Sequence, residues 1–384
     1  MSDIQYIQDT ASLKTLCQQL AGSEWLTLDT EFLREKTYYP QLCLIQIANH
    51  DLIACIDPLA IDDLTPLYAL LHDESIVKVL HAAVQDQEIL YQSSQQPPKP
   101  VFDTQVAASL LGYGDQMGYA KLVEKICGVQ LDKSQSRTDW SRRPLNEKQI
   151  DYAADDVRHL REIYQHLKTE LERLGRSDWL QKDFDDLANP QRYDPDPDSA
   201  YKRVKQYRRL RPKQLVILKA LAEWREKRAM DKNKPRKWIA SDDLLMDLCK
   251  IQPKTVAEIG QLRSASEGFV QHQGQYILDL MQSAQQTPQE QWPVLPSYQA
   301  LTPNQEAQVD YLMAAAKLIA DDNNITTGSL VSRKQLEQLV QGNRDIPLMK
   351  SWRYTVLGQS LVNLLEGHAN LNIQQHTLRY RDAQ

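Results

Sequence analysis

Trp25-Leu26-Thr27-Leu28-Asp29-Thr30-Glu31-Phe32 alternates apolar and polar side chains with the period of a β-strand. Leu26, Leu28 and Phe32 leave one face, while Thr27, Asp29 and Glu31 leave the other. Two carboxylates two residues apart on a strand therefore share one rigid face. There they can share a divalent cation or each hold one of a pair, although an ordinary strand-end charge pair looks the same. Two further acidic motifs decide between these readings. His81-Ala82-Ala83-Val84-Gln85-Asp86 follows an apolar strand pattern at 76–80, and Tyr152-Ala153-Ala154-Asp155-Asp156 lies within a long helical pattern. Phosphodiester cleavage with two cations needs several hard oxygen ligands converging on one point. Three acidic motifs in this order, each on a different element, point to a metal-dependent nuclease.

Further strand patterns occupy 42–48, 52–56 and 101–102, which with 25–32 and 76–80 makes five. Helical patterns follow the later strands, and one helix is expected over 147–174. Strands first, then strand–helix alternation, imply a mixed sheet with flanking helices. Residues 1–188 are expected to form this α/β domain. Pro190, Pro195 and Pro197, set among aspartates, cannot continue a helix, so 189–206 reads as a linker.

Beyond the linker only helical periodicity remains, and it repeats. Leu210-Arg211-Pro212-Lys213-Gln214 recurs as Leu301-Thr302-Pro303-Asn304-Gln305, an offset of 91 residues, and Leu221, Ala229, Ser241, Leu245 and Leu248 meet Leu312, Ala320, Ser332, Leu336 and Leu339. Ser332 with Gln335 forms a capping-box pattern, and Ser241 is the matching N-cap. Two all-α domains of one fold are expected, at 207–287 and 298–370.

Charge separates the two copies. The 384 residues carry a net −6, yet 201–237 holds fifteen Lys/Arg against three acids, a local +12 that leaves −18 for the rest. A field of that size suits phosphate tracking. A solvated helical face gives the same count, and Tyr201, Tyr207, Trp224 and Trp238 fit either base stacking or a core. The equivalent stretch 292–328 carries −3, so the first copy is the candidate for holding nucleic acid. No run approaches the ~18 apolar residues of a membrane span. Five cysteines with no C-x-x-C suggest neither a disulfide framework nor a zinc site, which fits a reducing cytoplasm.

The three motifs resemble Exo I, Exo II and Exo III of the DEDD exonuclease superfamily, in its tyrosine-containing subclass. Asp29-Thr30-Glu31-Phe32, Tyr38-Tyr39-Pro40-Gln41-Leu42 with Gln46, Phe102-Asp103-Thr104-Gln105, Leu131-Asp132-Lys133-Ser134 and Thr138-Asp139-Trp140 extend the likeness to the ribonuclease D family. The helical pair is similar to that family's HRDC domains. The resemblance implies a ribonuclease-H-like α/β exonuclease domain with a mixed five-stranded sheet, followed by two all-α HRDC domains. It implies two divalent ions, Mg²⁺ or Mn²⁺, held by Asp29, Glu31, Asp86 and Asp156, with Asp29 shared between them and Asp86 acting through water. Tyr152 is implied to position the attacking water. The expected reaction is 3′-to-5′ trimming of structured RNA such as tRNA precursors, by a monomer, with release of nucleoside 5′-monophosphates.

Neighbouring residues carry two readings each. Thr30 and Phe32 are candidate contacts to the terminal nucleotide, although strand alternation turns Phe32 to the core. Gln85, Lys133 and Arg137 are candidate substrate contacts, the last two in a basic loop with Arg142 and Arg143 that also reads as plain surface. His81 reads as a catalytic neighbour or a packed strand-end histidine, and Asp103 as a helix cap. Asp155 competes with Asp156, and the four-residue spacing from Tyr152 favours Asp156. A DNA exonuclease and a vestigial nucleic-acid adaptor are the alternatives. Asp29→Ala separates enzyme from adaptor.

Overall fold

A computed structural model describes residues 4–132, 134–135, 138–295 and 299–382. The chain forms two compact units. The first comprises 1–32, 42–193 and 299–384; the second comprises 33–41 and 194–298.

The first unit is built on a mixed sheet. Its strands are β1 (Ile4–Ile7), β2 (Trp25–Leu33), β3 (Gln41–Ala48), β4 (Ile53–Ile56), β5 (Val77–Leu80) and β6 (Val101–Asp103), in spatial order β1-β4-β3-β2-β5-β6. The sheet thus has six strands rather than the expected five. The additional one, β1, is four residues long and lies parallel to β4, with Ile4 opposite Ile53 and Ile7 opposite Ile56. Its partner is half a hundred residues away, and four residues carry no periodicity of their own. β3 runs antiparallel to β4, while β2, β5 and β6 are mutually parallel.

Helices α1 (Thr10–Leu20), α2 (Thr65–Leu71), α3 (Val84–Ser94), α4 (Thr104–Ser109), α5 (Tyr119–Cys127), α6 (Glu147–Arg173) and α7 (Gln181–Leu187) complete this part. α6 starts at a capping box formed by Asn146 and Gln149 and buries Ala153, Val157, Leu160 and Ile163. Such a start satisfies orphan amide donors, and the apolar face supplies the packing energy.

The second unit holds α8 (Pro212–Asp231), α9 (Arg236–Ile239), α10 (Asp242–Ile251), α11 (Val256–Gly260) and α12 (Glu267–Gln285). Ser241 caps α10 by accepting the Leu244 amide at 3.1 Å. Tyr201 and Trp224, two of the aromatics interleaved with cations, are buried in its core with Leu215, Leu221 and Leu245; Trp238 is exposed. Several cations of the basic stretch are internally neutralised. Glu226, buried, takes Arg203 at 2.9 Å and Arg236 at 2.5 Å, and Arg225 pairs with Asp242 at 2.7 Å. The segment 33–41 belongs to this unit: the Tyr38 hydroxyl donates to Glu226 at 2.6 Å, and Asn233 accepts the Tyr38 and Tyr39 amides.

Two expectations about boundaries change. Residues 189–206 are not a free linker, because Tyr193 is buried in the first unit and Tyr201 and Val204 in the core of the second. The prolines set turns, and the aromatic side chains between them find apolar partners. The later helices, α13 (Pro303–Asp322), α14 (Thr327–Leu330), α15 (Arg333–Val340), α16 (Ser351–Arg353) and α17 (Gln359–Leu365), do not stand apart either. They share the first unit's core: Trp352 stacks on Trp179 at 4.6 Å and donates its indole N–H to the Trp179 carbonyl at 2.8 Å. A hairpin of β7 (Ala369–Gln374) and β8 (Thr377–Asp382) follows. Ser332 and Gln335 form the expected capping box of α15.

Candidate active site

β2 lies inside the sheet, and its paired register with β5 runs from Trp25 opposite Val77 to Thr27 opposite Val79. Asp29 and Glu31 therefore project beyond the part of β2 that pairs with β5, at the carboxyl ends of parallel strands, where α/β sheets open a crevice. Thr27 fixes the third element. Its hydroxyl lies 3.1 Å from the Val157 carbonyl on α6 and 3.3 Å from that of Ala48. This buried contact sets the separation between β2 and the helix that carries Tyr152 and Asp156. Thr27 was read from sequence only as a strand position, and nothing local marks its partner 130 residues on.

The result is a convergence of Asp29, Glu31 and Asp156, whose carboxylate oxygens lie within 4.8 Å of one another. Asp86 stands next to them from the first turn of α3, its carboxylate accepting the Thr30 hydroxyl at 2.5 Å. Burial, followed by mutual repulsion, pushes these acids up: Asp29 well above the carboxylate range, Glu31 to about 8 and Asp156 to about 7. Burial likewise raises Asp86 to about 6, with the Thr30 hydrogen bond opposing it. Among the described residues no cationic side chain pairs with these clustered, largely enclosed carboxylates, and such a set fits a divalent cation, which relieves burial and repulsion together. The donor set, all hard oxygen, suits Mg²⁺ or Mn²⁺.

Tyr152 is half-buried four residues before Asp156, its ring 6.1 Å from that of Trp140. Burial and the charges of Asp156, Glu31 and Asp29 push its phenol further up, so the hydroxyl keeps its proton. Asp155 turns away and pairs with Arg158. His81 packs as a strand-end histidine: one ring nitrogen meets the Thr104 hydroxyl at 3.0 Å, the other the Met117 carbonyl at 3.0 Å. Burial lowers its pKa, keeping it neutral. Asp103 caps α4 and also accepts the Ala82 and Ala83 amides, which holds the turn into α3 where Ala82 has φ of +57°.

A cavity of about 730 Å³ opens beside Asp29 and Asp86, lined also by Thr30, Phe32, Gln85 and Arg192. Phe32 lines this space, although strand alternation turned it to the core. Thr30 lines the cavity with its hydroxyl already engaged by Asp86. Arg143, in the basic loop that reads as substrate contact or plain surface, is instead a lock. It binds the buried Asp57 through Nε at 2.5 Å and Nη2 at 2.7 Å and donates to the Cys43 carbonyl. Lys133 and Arg137 lie outside the described residues. Arg192 escaped the sequence reading because it sits in the proline-marked segment.

The fold and the carboxylate cluster define a 3′–5′ exonuclease domain, and a family model of that description matches residues 4–172. A model for the HRDC domain matches 214–281, the helical core of the second unit. Ribonuclease D of Bartonella henselae is 37% identical over 368 residues, covering 95% of this chain and 90% of that protein. Ribonuclease D of Sphingobium indicum is 37% identical over 378 residues, covering 97% of each. The crystal structure of Escherichia coli RNase D, described as an exoribonuclease involved in structured RNA processing, superposes with a TM-score of 0.84 at 32% identity over 95% of this chain and 99% of that one. The chain belongs to the ribonuclease D family of 3′–5′ exoribonucleases.

Proposed function

We propose that this enzyme trims the 3′ ends of structured RNA, tRNA precursors among them, and releases nucleoside 5′-monophosphates from the site built on Asp29, Glu31, Asp86, Tyr152 and Asp156. The observation that carries the reading is the meeting of three carboxylates within 4.8 Å beside a cavity large enough for a ligand. Asp29, Glu31 and Asp156 are the direct holders of divalent cations, Mg²⁺ or Mn²⁺. Asp86, outside the 4.8 Å group, acts through water. When bound, two such ions favour attack by water and offset the charge that develops on the leaving oxygen.

The chain's own groups do the rest. Tyr152 donates its hydroxyl hydrogen and orients the attacking water, consistent with a phenol that burial keeps protonated. Thr30 holds Asp86 in place. Phe32 and Gln85, both on the cavity wall, take the 3′-terminal nucleoside. Tyr152, four residues before Asp156, supports membership of the tyrosine subclass of DEDD exonucleases. The repeat at an offset of 91 residues, with matching caps at Ser241 and Ser332, supports a second, diverged HRDC copy at 298–370. The domains proposed are 1–188, 207–287 and 298–370, the last sharing a compact unit with most of the first, in a cytoplasmic monomer.

The test is product analysis on a tRNA precursor with a 3′ extension, alongside Asp156→Asn and Tyr152→Phe. Wild type is expected to release 5′-monophosphates and to stop near the mature end. Asp156→Asn loses turnover, and Tyr152→Phe loses at least about tenfold in turnover with unchanged cation affinity. Release of 3′-monophosphates, or cleavage inside the chain, overturns the proposal.

A further inference from the structure

The cavity beside Asp29 is acidic, yet it must admit a polyanion. Asp29, Asp86, Asp103 and Asp183 all line it. Asp103 is engaged by backbone amides, and Asp183 faces Arg353 at 3.4 Å. Among the described residues Arg192 is the one permanent cation on its wall. No carboxylate pairs with Arg192 among those residues, and it is exposed. Its backbone, by contrast, is fixed. The Asn189 side chain accepts the Gln191 amide at 3.1 Å, and the Arg192 amide donates to the Asn189 carbonyl at 3.1 Å. Next to it, buried Tyr193 donates its hydroxyl to the Leu187 carbonyl at 2.6 Å and sets its ring 5.9 Å from Tyr91. A guanidinium with no carboxylate partner among the described residues, on an anchored turn at the wall of an acidic cavity, matches the planar, bidentate recognition of phosphate.

Position selects which phosphate. Glu31 and Asp156 do not line this space, so it extends from Asp29 and Asp86 away from the rest of the carboxylate cluster. The cavity, about 730 Å³, is larger than the 3′-terminal nucleoside that Phe32 and Gln85 take, and in a strand shortened from its 3′ end every phosphate other than the scissile one lies on the 5′ side. We propose that Arg192 is a substrate-binding residue whose guanidinium takes a phosphodiester on the 5′ side of the bond that is cut. The proposal rests on the exoribonuclease reading of the same site. It gives the segment after the exonuclease domain a part in holding RNA.

Steady-state kinetics on 5′-labelled unstructured RNA, with wild type, Arg192→Gln and Arg192→Lys, test it. The substrates are all-phosphodiester strands and strands with one methylphosphonate at the second, third or fourth linkage from the 3′ end. Arg192→Gln is expected to raise KM about tenfold with kcat within about twofold, and Arg192→Lys to restore part of it. The slope of log(kcat/KM) against log[salt] becomes shallower by about 0.7, one single-strand phosphate contact. At one linkage the methylphosphonate raises KM for wild type and leaves Arg192→Gln unaffected. Unchanged KM and salt slope in Arg192→Gln, or methylphosphonate penalties equal in both enzymes at every linkage, overturn the proposal. Wild type inactive on RNA with divalent cation overturns the underlying reading as well, so the two failures are distinguishable. Equal melting temperatures of the variants confirm that the fold is not what changed.

Discussion

Glu31 shows how the site's chemistry is written into single residues. Burial first, and then Asp156 and Asp86, raise it from 4.5 to about 8. An acid whose folded pKa exceeds its unfolded value binds its proton more tightly when folded. The stability it contributes is therefore full below about pH 4.5 and is lost as pH rises towards about 8. The cation-free protein is expected to melt progressively lower between pH 5 and 8. Glu31→Gln flattens that decline and melts higher than wild type at pH 8. Added Mg²⁺ stabilises wild type more at pH 8 than at pH 6, because binding must displace protons. A melting temperature of the cation-free protein that does not fall across this window contradicts the account. Spacing in the sequence put Asp29 and Glu31 on one strand face and Tyr152 and Asp156 on one helix face, whereas Asp86 and the roles of all five rested on the resemblance to the ribonuclease D family. The roles of Thr30 and Thr27 were not legible, because a hydroxyl's partner 56 or 130 residues away leaves no local trace.

At the scale of elements, periodicity served where an element was long. The helix expected over 147–174 is Glu147–Arg173. It failed where the element was short and its partner distant, as in β1. The loop before α6 illustrates a second failure. Arg142 and Arg143 read alike in sequence, but Arg142 is an exposed partner of Asp139, whereas Arg143 clamps a fully buried Asp57 that also accepts the Tyr6 hydroxyl at 2.8 Å. That clamp joins the loop before α6 to β1 and the end of β4. Arg143→Ala leaves a buried carboxylate without its cation and is expected to cost about 3 kcal/mol, read from chemical denaturation. Turnover of the folded fraction at low temperature should be preserved. A change below about 0.5 kcal/mol, or lost turnover in fully folded protein, contradicts the structural role and returns Arg143 to the substrate side.

At the scale of the molecule, sequence correctly separated an α/β half from a helical half but not the way the chain is partitioned. The repeat suggested two equivalent appendages. Instead 299–384 shares the first unit with the exonuclease domain, and 194–298 with 33–41 forms the second. The reason lies in surface chemistry. Val309, Leu312, Leu336 and Trp352 join the apolar core of the sheet domain, and Arg176 donates to the Asn323 carbonyl at 2.6 Å. The basic copy instead balances buried Glu226 with its own arginines. A cut after Asn189 therefore removes part of the first unit's core as well as the basic helical unit. The central claim, that the carboxylate cluster shortens RNA from its 3′ end, is tested most directly on matched 5′-labelled RNA and DNA oligonucleotides with Mg²⁺ or Mn²⁺, with Asp29→Ala as control. The account predicts a cation-dependent ladder receding from the 3′ end of RNA, absent in Asp29→Ala, which still binds RNA. A ladder that persists in Asp29→Ala, or RNA left intact by wild type with either cation, contradicts it.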